Sequence, residues 1–106
     1  MNKKYYQVLI ATPREQEAKD IVQKLLDEKL IACGFITGGL AMHWWKNEID
    51  KENYWSISAY TVIENKDKII KIVREINSDE LPGIVFFKIN DANQDFLDWI
   101  DESIKK

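Results

Sequence analysis

The stretch "YYQVLIA", residues 5–11, is a run of β-branched and aromatic residues and predicts a mostly buried strand. It stops at Thr12-Pro13, where Thr12 is placed to cap a helix, Pro13 suits the first helical position and Glu15 completes a capping box. From there Ala18, Ile21, Val22, Leu25 and Leu26 recur at helical spacing, while Glu17, Lys19, Asp20, Lys24 and Asp27 take the opposite side. "LIACGFIT", residues 30–37, predicts a second strand, interrupted at Gly38-Gly39 and resumed by "LAMHWW". "KNEIDKEN", residues 46–53, supplies the polar turn of a hairpin whose return strand is "YWSISAYTVI", residues 54–63. Asn65 opens a second helix with Ile69, Ile70, Ile72, Val73 and Ile76 on its apolar side, and "NSDE" ends it. "LPGIVFFKI" is a further strand entered through Pro82-Gly83. "NQDFLDWIDESI" is a last helix carrying Phe96, Leu97, Ile100 and Ile104 on one stripe.

The order β-α-β-β-α-β followed by an extra helix predicts a single α+β domain over residues 1–106. Each βα unit needs a crossover, so both helices lie on one face of the sheet and the other face stays open. That arrangement is ferredoxin-like. An open face carrying tryptophan, tyrosine and small apolar residues calls for a cover, and oligomerisation is the simplest one, with the terminal helix contributing.

Composition narrows the function classes. The net charge is −3, from 15 basic and 18 acidic residues, without a basic block for a phosphate backbone, which argues against nucleic acid as a partner. The single cysteine forms no internal disulfide, and no segment approaches the ~20 apolar residues of a spanning helix. The apolar run after the basic N-terminus is short and contains tyrosines and Gln7, so it reads as a strand and not as a signal peptide. The expectation is a cytoplasmic protein with no membrane partner.

The chemistry-bearing residues are few. "ACGFITGGLAMHWW" holds the only cysteine, Cys33, and the only histidine, His43, beside Met42, a combination that raises copper or zinc. An extended chain puts Cys33 and His43 about 33 Å apart, and strand alternation turns Met42 away from His43. Cys33 therefore reads first as a small buried hydrophobe, with metal or redox use as the alternative. His43 reads first as a surface or interface residue, with a partial metal site shared with carboxylates as the alternative. Asp79 and Glu80 lie in a loop beside Pro82-Gly83 where oxygen ligands could meet a cation, though two adjacent carboxylates need further donors. Trp44, Trp45 and Trp55 read as packing residues across the hairpin or a subunit boundary. An enzyme reading is disfavoured. A Cys-His pair needs a fold-back of the strand, and the Arg14 loop "ATPRE" has no glycine and loses a donor at Pro13, which makes a poor phosphate cradle.

Five segments in order, "ATPRE", "LLDEKLIAC", "MHWWKNEI", "ELPGI" and "NQDFLDWI", resemble the CutA divalent-cation tolerance family over nearly the whole chain. The resemblance implies a ferredoxin-like protomer in a tight homotrimer whose long hairpin strands pair between subunits, with Met42, Trp44, Trp45 and Trp55 in the joining arm. It implies a non-enzymatic role in tolerance to copper and other divalent metal ions, with direct metal binding as the proposed mode. Cys33 is the family's cysteine, and Glu80 and Pro82 keep part of the family's "His-Pro-Tyr-Glu-x-Pro" stretch. Asn77 stands in place of that histidine, however, and Asp79 in place of the tyrosine. The metal candidates are thus Cys33, His43 and Glu80, with no certain cofactor. The rival reading is a signalling trimer resembling the PII proteins, binding a nucleotide or metabolite between subunits. A scaffold without a small ligand is the third.

Overall fold

The computed structural model describes residues 5–105. Its elements are β1 (Tyr5–Thr12), α1 (Glu15–Asp27), β2 (Gly34–Trp45), β3 (Glu48–Val62), α2 (Lys66–Ile76), β4 (Gly83–Lys88) and α3 (Gln94–Ser103), with a 3-10 turn over Ile63–Asn65. The strands form one antiparallel sheet in the order β2-β3-β1-β4. This is the ferredoxin-like α+β arrangement that the element order predicts, with α3 as the extra helix.

The register explains the core. Val8 pairs with Ala59 and Ile10 with Ile57, so all four share one sheet face. The apolar stripe of α1 (Ala18, Ile21, Val22, Leu25) and that of α2 (Ile69, Ile72, Val73) bury against this face. Each fully buried aliphatic side chain contributes roughly 1.5–3 kcal/mol. The opposite face is covered only at one end. There α3 sets Phe96, Leu97, Ile100 and Ile104 against Tyr5, Tyr60 and Val62. The Tyr5 hydroxyl donates to the Asp101 carboxylate at 2.6 Å, and that bond, with burial and the charges of Asp101 and Asp98, pushes the phenol up to about 12.

Three local expectations are corrected. Thr12 does not cap α1. It is the buried last residue of β1, its hydroxyl donates to Glu17 at 2.8 Å, and the cap position falls at Arg14, with Pro13 outside the helix. The second strand begins at Gly34 and not at Leu30. Leu30, Ile31 and Ala32 are buried in the connection, where helix α1 closes with Lys29 in a left-handed conformation (φ 57°). The bonds Leu30 N–H to Leu25 carbonyl (2.9 Å) and Lys29 N–H to Leu26 carbonyl (3.0 Å) make that closure a Schellman motif.

The third correction concerns the hairpin. β2 runs unbroken through Gly38-Gly39, and the turn is only Lys46-Asn47, both at positive φ (51° and 68°) as a two-residue hairpin loop requires. The polar run from Glu48 to Asn53 belongs to β3. That part of the hairpin carries mostly exposed side chains, so polar residues do not break the pairing. The hairpin gives the protomer its elongated form, 47 × 26 × 21 Å.

Candidate functional site

A cleft of about 430 Å³ opens beside the hairpin, against the loop between α2 and β4. β3 contributes Tyr54, Glu52 and Asp50; β2 contributes His43, Trp44 and Trp45; the loop contributes Asp79. The ladder sets the spacing. His43 faces Asp50, Ala41 faces Glu52 and Gly39 faces Tyr54, so these side chains alternate onto a single face. Small Ala41 lies between His43 and Gly39 on that face, and the His43 and Tyr54 rings meet edge to face with centroids 5.6 Å apart.

The loop side is held by hydrogen bonds. Asn77 is buried at the C-terminal end of α2, where its amide donates to the Ala11 carbonyl at 2.9 Å. Its side-chain oxygen accepts from the Asp79 backbone N–H at 2.9 Å. The Ser78 N–H donates to Glu17 at 3.0 Å, which ties the loop to α1. So anchored, the Asp79 carboxylate accepts the Tyr54 hydroxyl at 2.6 Å. Burial pushes the Tyr54 phenol well above its ordinary range, and the bond to Asp79 and the charges of Asp79 and Glu52 push it further.

Glu17 shows the opposite balance. Burial raises its pKa, but the hydrogen bonds from Ser78 and Thr12 and the nearby Arg14 outweigh it, so the net shift is downward.

The metal candidates are not brought together within the protomer. Cys33 directly precedes the extended β2 and His43 lies near its far end, a separation of about 33 Å at strand rise. Cys33 is half-buried, and burial raises its thiol. Glu80 is exposed and does not line the cleft. Among the described residues no group of three or more His, Cys, Asp or Glu side chains could hold a metal ion. Within one chain, therefore, the donor set Cys33, His43 and Glu80 does not fit a metal.

The arm residues divide in two. Trp44 (71% exposed) and Met42 (60%) form an apolar stripe with Leu40 and Ile49 that nothing in the protomer covers. Trp45 is half-buried, with the Lys46 ammonium 5.7 Å from its ring centroid. Trp55 packs against the core cluster with its indole lying over Gly38. Phe35, Val85 and Phe87 add exposed apolar area on the open face of the sheet.

Sequence reasoning weighed Asp79 as a possible cation ligand but did not find its bond to Tyr54. It also missed Asp50 and Glu52, whose polar run read as a turn. The signal that could have found them is period-two alternation across residues 48–54, which places Asp50, Glu52 and Tyr54 on one face once the run is taken as strand.

Known proteins place the chain. Residues 6–103 match the family described as CutA1 divalent ion tolerance protein. A divalent-cation tolerance protein CutA of Thermotoga maritima is 29% identical over 92 residues, 87% of this chain and 91% of that protein. The structure of the periplasmic divalent cation tolerance protein CutA from Archaeoglobus fulgidus superposes with a TM-score of 0.91 at 29% identity, covering 95% of this chain and 99% of the other. The divalent ion tolerance protein CutA1 of Ehrlichia chaffeensis shares the fold over 100% of both chains, with a TM-score of 0.91 at 23% identity. No helix among the described residues is long and apolar enough to cross a membrane. The chain belongs to the CutA1 divalent ion tolerance family.

Proposed function

We propose that this chain acts by binding and not by catalysis, as a cytoplasmic homotrimer in the response to divalent metal ions, copper first among them. Family membership over residues 6–103 is the observation that carries the tolerance role. The assembly is supported by the uncovered stripe of Met42 and Trp44 and by the apolar open face, since contiguous exposed apolar surface marks an interaction site. A lone free cysteine, Cys33, fits a reducing compartment.

Metal binding through Cys33, His43 and Glu80 requires donors from different protomers, because a single chain holds them apart. The rival nucleotide reading is weakened by the cleft itself. Its lining carries Asp50, Glu52 and Asp79 without a lysine or arginine, a poor partner for phosphate. The test combines native mass with bound-metal analysis and copper titration of the purified protein. The expected result is a mass three times that of the 12.5 kDa chain and saturable copper binding that is lost in Cys33→Ser. A monomer refutes the assembly; an absence of saturable binding refutes the metal role.

A further inference from the structure

We propose that the loop over residues 77–82 is a latch between the two faces of the sheet, with Glu17 and Tyr54 as its catches, so that release of one frees the other. The faces follow from the register. Thr12 is buried on the helix side of β1, in phase with Val8 and Ile10, whereas Tyr54 is out of phase with Ile57 and Ala59 and so lies on the open face. The loop passes the end of β1 and bonds to both sides. On the helix side a single carboxylate oxygen, Glu17 Oε1, accepts the Thr12 hydroxyl at 2.8 Å and the Ser78 N–H at 3.0 Å. On the open side the next residue, Asp79, accepts the Tyr54 hydroxyl at 2.6 Å.

These bonds close a ring. It runs from Tyr54 to Asp79, along the backbone to Ser78, on to Glu17 and Thr12, and back through the ladder, where Thr12 pairs with Trp55 beside Tyr54. Every atom in it belongs to one chain, so the ring needs no partner subunit. The loop is neither helix nor strand, so its place depends on these tethers and on the Asn77 amide, which donates to the Ala11 carbonyl at 2.9 Å. Adjacent residues hold the two catches. Ser78 cannot swing away from Glu17 without carrying Asp79 along, and a hydrogen bond weakens steeply once its geometry is lost. Glu17 and Tyr54 are thus positioning residues for Asp79, and a change at the start of α1 reaches the hairpin strand β3 through the loop. Bonds in one network couple in this way, whereas independent bonds add.

Amide exchange of the full chain tests the latch at the Asp79 N–H, whose acceptor on Asn77 is left in place by every variant used. Glu17→Ala and Tyr54→Phe are each expected to speed that exchange about tenfold, and the double variant no more than either alone, since one released catch already frees the loop. A second readout is remote from the substitution. The NMR resonance of the Tyr54 ring carbon that bears the hydroxyl, identified by its loss in Tyr54→Phe, should move in Glu17→Ala as the bond to Asp79 opens. It should move less in Glu17→Gln, which keeps a neutral acceptor. If circular dichroism shows Glu17→Ala unfolded, Glu17→Gln takes its place in both measurements. Exchange in the double variant near the product of the single effects, about a hundredfold, makes the two bonds independent and overturns the proposal. An unmoved Tyr54 resonance also overturns it, as does Asp79 exchange that either single variant leaves unchanged.

Discussion

The Tyr54 hydroxyl donates to the Asp79 carboxylate at 2.6 Å, joining the middle of the sheet's longest strand to the loop that follows α2. Tyr54→Phe removes this charge-assisted bond and leaves Asp79 without its partner. The variant should lose about 1 to 2 kcal/mol of unfolding free energy, measured by urea denaturation. It should also raise amide exchange in the loop over residues 77–82. Unchanged exchange there refutes a tethering role.

Adjacent glycines in β2 should respond in opposite directions. A Cβ at Gly38 would come within 2.6 Å of the Trp55 indole nitrogen, whose ring is packed on the core, whereas a Cβ at Gly39 meets nothing within 4 Å. Gly38→Ala is therefore expected to cost about 1 to 3 kcal/mol through displacement of Trp55. Neither glycine has positive φ, so Gly39→Ala should be neutral or gain about 0.5 kcal/mol through lower unfolded-state entropy. Tryptophan fluorescence should shift in the first variant only.

Glu17 makes part of the stability dependent on acid. Its folded pKa is lowered relative to the ordinary value of 4.5, so its contribution is complete above that pH and is lost as pH falls through the folded value. Glu17→Gln should flatten this acid limb while lowering stability at neutral pH, because Thr12 and Ser78 lose a charged acceptor. Unfolding midpoints from pH 7 down to pH 3 check it. An unchanged slope counts against the assignment.

The end of α1 is strained at Lys29, which holds a φ of 57° to complete the Schellman closure. Glycine adopts this conformation without a Cβ penalty. Lys29→Gly should stabilise the protein by about 0.5 to 1 kcal/mol, a rise in Tm of a few degrees by calorimetry.

The proposed assembly has its own test at the arm. Trp44 is 71% exposed in the protomer, so Trp44→Lys costs the isolated chain little. If the arm joins subunits, the substitution should lower the assembled mass by light scattering or raise its dissociation constant at least about tenfold. A variant that assembles like the parent removes Trp44 from the interface.

Legibility in the sequence followed the range of the interaction. Helices α1 and α2 carry a 3.6-residue apolar stripe over three turns, and Ala18, Ile21, Val22 and Leu25 are buried as that spacing requires. The capping-box pattern fails because Thr12, Pro13 and Glu15 satisfy a local rule, while the register of β1 keeps Thr12 in the sheet opposite Trp55. The run "KNEIDKEN" misleads because a polar composition signals a turn only where one face is buried. Here both strands extend beyond the buried core, and Asp50 and Glu52 stay in the ladder.

By itself, the sequence determined the order of elements, the apolar faces of the helices and the ferredoxin-like connection, because periodicity and crossover handedness act over neighbouring residues. Only the tertiary structure decided which polar residues meet. Asn77 reaches the carbonyl of Ala11, and Tyr54 reaches Asp79, across 66 and 25 positions of chain. Strand pairing and the return of the chain after α2 create those distances, and no local pattern encodes them. The same cause separates Cys33 from His43: continuous pairing of β2 with β3 keeps the strand between them extended.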